Sequence, residues 1–236
     1  MPDTSRQEEN KPNGKIPIFC SWSGGKDSAL ALYRAIQMGY RPARLITMMT
    51  EGGVRSRSHG LHLSVLQAQA DSMGIPLITY ATTWDDYTTN YRRALEEARL
   101  AGISTGVFGD IDHLKHRSWV VETCASEKVT PILPLWNSDR SSLLQDLVKN
   151  GFCATVIAVR KGDLDPALLG RVIDQKLIAE LKEAEIDLCG EKGEYHTVVS
   201  AGALFAKPLS LSHGHIEFRD GVYFLDVQLK AIIVEV

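Results

Sequence analysis

The sequence has no CxxC cysteine pair, no excess of positive charge and no apolar run of membrane-spanning length. Each absence excludes something. Four scattered cysteines (Cys20, Cys124, Cys153 and Cys189) form neither a zinc ribbon nor a dithiol redox centre, and read as reduced, buried thiols. A formal net charge of −3 supplies no general field for nucleic acid or membrane, which argues against tRNA as a substrate. Without roughly 18 to 20 consecutive apolar residues there is no membrane helix. The polar amino terminus has no signal-peptide core, so residues 1–14 are expected to be a disordered lead-in and the protein cytoplasmic. Repeats and low-complexity tracts are also missing.

What is there is an alternation of short apolar runs and helical periodicity. Strands are expected at 16–20, 44–49, 75–80, 105–109 and 131–135, and helices at 28–38, 60–73, 84–101 and 116–128. In the third helix Trp84, Tyr87, Tyr91, Leu95 and Ala98 recur every three or four residues. Repeated strand–helix–strand units imply an α/β fold with a doubly wound parallel sheet. Beyond it come a helix near 139–150, a strand at 153–159 and a helix near 174–184. The chain then turns to strand signals, with Asp220-Gly221 marking a hairpin between 216–219 and 222–225 and a last strand at 231–234. The expected division is a nucleotide-binding domain over 15–135 and a smaller α+β domain over 136–236. The strands Val222–Gln228 and Ala231–Val236 are candidates for pairing across a homodimer.

Residues 21–28 read SWSGGKDS and sit between the apolar run 16–20 and a helical stretch. A strand, a small-residue turn and a helix together aim backbone N–H groups and a helix dipole at an anion. Gly24 and Gly25 let the backbone approach a phosphate, Lys26 adds charge, and Ser21, Ser23 and Ser28 add hydroxyls. A plain turn has little use for six consecutive small or charged residues. The loop therefore predicts polyphosphate binding, with ATP the expected ligand. It has neither Walker A nor GxGxxG spacing. Gly109-Asp110, at another strand end, is expected to face the same ligand.

The second cluster is DLCGEKGEYHT at 187–197. On composition it reads as a charged turn entering a strand. Glu191, Glu194 and His196 have no further ligand nearby to complete a metal site, so no metal ligands are assigned.

SGGKDS after a first strand resembles the PP-loop of the ATP pyrophosphatases, in the adenine-nucleotide α-hydrolase-like folds. With GEKGEYHT far downstream, nearly the whole chain from Ile16 resembles the diphthine–ammonia ligase family. Arg57-Ser58-His59-Gly60, Gly109-Asp110-Ile111, Arg117, Glu122-Thr123-Cys124 and Pro134-Leu135-Trp136 fit the same pattern. The resemblance implies an amide synthetase that uses ATP with Mg²⁺, adenylylates a carboxylate and transfers it to ammonia. In eukaryotic and archaeal members the acceptor is diphthine on elongation factor 2. No cysteine–histidine segment of a glutaminase is visible, which leaves free ammonia as the expected nitrogen source.

On that reading Lys26 stabilises the departing pyrophosphate, and Asp27 either assists through a water or caps the helix. Glu191, Glu194 and His196 are the candidates for catalysis and proton transfer. His59, Arg117, Gly190, Gly193 and Thr197 are expected on the substrate side, with Trp136 and Tyr195 offering aromatic faces to a quaternary ammonium. The stretch SRSHGLH at 56–62 departs from diphthine-acting members, which carry aromatic residues there. Two other readings compete. Transfer to tRNA is opposed by the charge and the cysteine pattern. A nucleotide sensor would have no use for GEKGEYHT.

Overall fold

The computed structural model describes residues 15–230. The expected lead-in and the strand at 231–234 lie outside the described residues. Five parallel strands form the first sheet: β1 (Pro17–Ser21), β2 (Arg41–Met49), β3 (Leu77–Ala81), β4 (Thr105–Val107) and β5 (Thr130–Ile132). Their order is β3-β2-β1-β4-β5. The chain starts at the centre, winds to one edge and returns to the other side, so the strand order reverses between β1 and β4. That reversal opens a crevice beyond the carboxyl ends of the two strands.

Helices cover both faces. On one side α1 (Lys26–Gln37), α2 (Leu63–Met73) and α5 (Arg140–Lys149) pack, and on the other α3 (Tyr87–Leu100) and α4 (Leu114–Ser126). Phe19, Ile46, Tyr91, Leu95, Phe108 and Cys124 centre the second face. Where β1 pairs with β4, the Phe19 ring fills the space over Gly106: a Cβ there would lie 2.2 Å from the ring.

The second sheet is antiparallel, in the order β7-β6-β9-β8, from β6 (Cys153–Arg160), β7 (Tyr195–Ala201), β8 (Leu211–Arg219) and β9 (Val222–Leu229). The expected hairpin is there. Arg219 pairs with Val222, and Asp220 and Gly221 both take positive φ (51° and 81°), as a two-residue hairpin turn requires. The last helix, α6 (Gln175–Glu183), packs against α5. One apolar cluster runs through both sheets, joining Ile18, Leu32 and Leu66 to Val156, Leu177 and Val198. Polar ties reinforce it: Arg34 pairs with Asp146 (2.7 Å), and Tyr33 Oη donates to Asn150 Oδ1 (2.7 Å).

Several boundaries shift. Helix α3 starts at Tyr87, so Trp84 stands outside it and is 68 % exposed. Helix α2 starts at Leu63, because Arg55 and His62 close a small bridge first. Strands β4 and β5 are short, which leaves Gly109 and residues 133–136 in loops. β9 pairs with β8 along its length and with β6 over Val222–Phe224, and among the described residues β7 and β8 are the outer strands of this sheet. No helix among the described residues is long and apolar enough to cross a membrane.

Candidate active site

The loop after β1 is held from two sides. Gly24 takes φ 81°, and its carbonyl accepts from Gln69 Nε2 (3.0 Å) and from the Val199 N–H (2.9 Å). Gln69 also donates to Val199 O (2.7 Å) and accepts from Trp22 Nε1 (2.9 Å), with 0 % of its surface exposed. One amide thus joins β1's loop, α2 and β7, using both donors and its acceptor. Within the loop, Gly25 N–H donates to Ser23 Oγ (3.2 Å) and Ser28 Oγ donates to Gly25 O (3.1 Å). These two hydroxyls shape the loop itself. Ser21 ends β1 and lines an adjoining pocket.

Gly25 precedes α1. A Cβ there would lie 2.6 Å from His59 Nε2 and 3.0 Å from Thr197 O. The first helical N–H, that of Lys26, donates to Thr197 Oγ1 (3.0 Å). The cap of α1 therefore comes from β7, and Thr197, expected on the substrate side, is buried beneath the helix. Asp27 does not cap the helix. Its carboxylate takes the Lys26 ammonium at 2.8 Å. Gly109 lies against the backbone of Asp27 and Ser28, where a Cβ would come within 2.9 Å. Both loops beyond β1 and β4 thus converge on one helix terminus.

Lys26 is 4 % exposed and also donates to Cys189 O, with the Tyr195 ring 5.0 Å away. Burial opposes its charge, but Asp27, Tyr195 and Cys189 together outweigh that and hold the ammonium above its ordinary value. Around it the second segment supplies the titratable groups. Burial, then Asp27, with Asp110 and Asp112 beyond, push Glu191 up to about 7 against the pull of Lys26. Asp110 is raised by burial, partly offset by His116, whose Nδ1 lies 3.8 Å away. His59 and His196 stand ring to ring at 4.6 Å. Each ring keeps some contact with solvent, yet burial and nearby Lys26 hold both below the ordinary imidazole range, His196 at about 4. Both are neutral at pH 7. The buried Cys189 thiol is pushed up to about 12, which rules it out as a thiolate nucleophile.

Glu194, a catalytic candidate by sequence, is 6 % exposed, and its carboxylate accepts from the Lys192 N–H (3.0 Å). It braces the loop that presents Glu191. Gly190 and Gly193 take positive φ (68° and 83°) in the same loop, and a Cβ on Gly190 would press on the Tyr195 ring at 3.0 Å. The two aromatic faces expected to meet a cationic substrate are already covered, Tyr195 by Lys26 and Trp136 by Arg117 (5.0 Å).

Sequence reading missed Gln69, and also Arg140, which bridges Asp112 (2.7 Å) and Asp187 (2.6 Å) and so fastens the loop after β4 to the GEKGEYHT loop. Neither residue sits in a local motif. Their partners lie far away in the chain, so no spacing signals them. A pocket of about 370 Å³ opens beyond β1 and β2, lined by Ser21, Ile46, Met48, Arg57, Trp84 and Tyr87. Arg57 lies over the Trp84 ring at 5.1 Å and forms its rim. No group of three or more His, Cys, Asp or Glu among the described residues is arranged to hold a metal ion.

Residues 17–130 match the diphthamide synthase N-terminal domain and residues 139–233 the diphthamide synthase C-terminal domain. Among similar proteins are those named diphthine–ammonia ligase in Schizosaccharomyces pombe, Danio rerio and Homo sapiens. The Homo sapiens protein is 26% identical over 87% of this chain and 86% of its own length. The Danio rerio protein is 25% identical over 79% of this chain and 83% of its own. The Schizosaccharomyces pombe protein is 27% identical over 89% of this chain, which spans only 38% of that longer relative.

Proposed function

The chain belongs to the diphthamide synthase family, and from that membership we propose that it is an ATP-dependent carboxylate–ammonia ligase. Its acceptor is diphthine, the substrate in its relatives' name, or a carboxylate of like chemistry. One observation carries the reading. Lys26 donates its N–H to Thr197 and its ammonium to the Cys189 carbonyl, so the phosphate loop and the GEKGEYHT segment form one site.

In this site the adenine occupies the pocket beyond β1 and β2, and the polyphosphate lies along the loop to Lys26. An acceptor carboxylate oxygen attacks the α-phosphorus, the α–β P–O bond breaks, and pyrophosphate leaves with its charge held by Lys26 and the loop N–H groups. Ammonia then attacks the acyl carbon, the bond to AMP breaks, and Glu191 takes the proton from nitrogen. A carboxylate at about 7 is matched to that task at neutral pH, whereas Glu194 is committed to its loop. The neutral His59–His196 pair separates this centre from a cavity on the acceptor side.

Asp27 and Asp110 are the carboxylates that would share Mg²⁺ with phosphate oxygens. Burial, with a smaller push from Asp27, raises Asp110, and a cation there would favour its charged form; an ion bound mainly through phosphate needs no protein cage. Bound there, Mg²⁺ neutralises polyphosphate charge. Four free cysteines suit a reducing, cytoplasmic setting.

The test is release of pyrophosphate and AMP from ATP with ammonium and a panel of carboxylates, diphthine-bearing elongation factor 2 among them. Release that needs both ammonium and a carboxylate, with an amide in the products, supports the ligase. Hydrolysis indifferent to both would overturn it.

A further inference from the structure

Arg140 sits where helix stability argues against it. It is the first residue of α5, after the Asp139 cap, so its charge meets the positive end of the helix dipole, where acidic residues are favoured. Its partners lie elsewhere. Nη2 donates to both oxygens of Asp112 (2.8 and 2.7 Å), in the loop that carries Asp110. Nη1 donates to Asp187 Oδ2 (2.6 Å), in the loop that carries Glu191. The Asp187 side chain is 3 % exposed and that of Asp112 42 %. The guanidinium thus has one arm in a buried socket and the other near the surface. Its Nε is buried and has no hydrogen-bond partner among the described residues, so spanning the two carboxylates leaves one donor unsatisfied.

The buried arm leads to Lys26. The other oxygen of Asp187 accepts the Cys189 N–H (3.0 Å), and the Cys189 carbonyl accepts the Lys26 ammonium. The Cys189 thiol donates to the Arg140 carbonyl (3.7 Å), so the start of α5 grips this residue through backbone as well as side chain. An ammonium has three N–H groups, and Asp27 and Cys189 take two of them. A tetrahedral group fixed twice has one direction left for its third bond, so the Cys189 carbonyl aims the remaining N–H of Lys26. Asp112, on the outer arm, ties the loop of Asp110 to the same frame. Resting on the ligase reading above, we propose that Arg140 is a positioning residue: by spanning Asp112 and Asp187 it sets the separation of the two loops and, through Cys189, the direction in which Lys26 donates. It acts through the groups it holds, not on the reacting atoms.

Two variants keep Asp187 paired and cut only the span. Asp112→Ala removes the outer arm. Arg140→Lys keeps the charge beside Asp187 but lacks the fork that holds both carboxylates. Each should melt within a few degrees of the wild type by calorimetry, and each should leave KM for ATP within about threefold. Each should lower kcat for pyrophosphate release from ATP, ammonium and diphthine-bearing elongation factor 2 by about tenfold or more, the loss expected of misaligned groups. The double variant should be no slower than the worse single one, because both break one tether. A wild-type kcat in either variant, or losses that multiply in the double, overturns the assignment. Hydrogen exchange, which needs no turnover, keeps the two readings apart. Both variants should speed exchange in residues 110–113 and 187–194 together, and unchanged exchange in the second loop also overturns the assignment. Faster exchange in both loops of a chain that releases no pyrophosphate sinks the ligase and leaves the span. Turnover at the wild-type rate in both variants sinks the positioning role and leaves the ligase.

Discussion

The two loops that meet at Lys26 are built on different principles. The loop after β1 is positional: its glycines leave room for His59 and β7, and its serines bond within the loop. The loop before β7 is electrostatic: it brings Glu191, Tyr195 and His196 into surroundings that move their proton affinities. A phosphate site needs backbone at set distances, and its signature is local. A proton-transfer site needs shifted pKa values, and those depend on what burial and distant charges do to each group.

That contrast can be broken by experiment. The largest effect is expected for Glu191→Gln, with ammonia-dependent turnover lowered by about 10²–10⁴-fold and ATP affinity retained. The wild-type rate should climb with pH through about 7 as Glu191 loses its proton, and that limb should vanish in the variant. Stability should move oppositely. Because the folded pKa lies above the ordinary 4.5, ionised Glu191 costs stability increasingly as pH rises from 4.5 to about 7. Glu191→Gln should therefore melt about 2–4 °C higher at pH 8 and no higher at pH 4, by calorimetry.

On the positional side, Lys26→Ala should lower kcat/KM for ATP by about 10²–10³-fold. Lys26→Arg should recover less than tenfold of that, since a buried slot fitted to an ammonium has no room for the guanidinium fork. Full recovery would mean that charge alone matters there. Gln69→Leu strands Trp22 Nε1 and removes donors from the Gly24 and Val199 carbonyls. It should cost about 2–4 kcal/mol in urea unfolding and raise KM for ATP more than it lowers kcat.

The smallest effect concerns the histidines. His196 has a folded pKa near 4, below its ordinary 6.5, so the unfolded chain takes up a proton first and stability falls as pH drops from 6.5 toward 4. His196→Gln should remove about 1 kcal/mol of that acid loss between pH 6.5 and 5. An unchanged slope would show that the ring is as well solvated as a free imidazole.

Legibility followed the same divide. The parallel sheet, the hairpin at Asp220-Gly221 and the phosphate loop could be read because period, turn residues and small-residue runs are local signals. Trp84 was misplaced because its spacing imitates the helix that begins after it. Asp27 had two roles open to it, and the cap went to Thr197, a residue on another sheet. Glu191 and Glu194 look alike in GEKGEYHT, yet one faces a crowd of carboxylates and the other folds onto Lys192.

By itself the sequence determined the α/β architecture, the phosphate loop and the family resemblance, since each is written in neighbouring residues or in a repeated period. Only the tertiary structure decided how the two motifs share a site, which glutamate is poised near neutrality, and that Gln69 and Arg140 hold the halves together. Those outcomes depend on burial and on charges brought close by folding, and no separation along the chain encodes either.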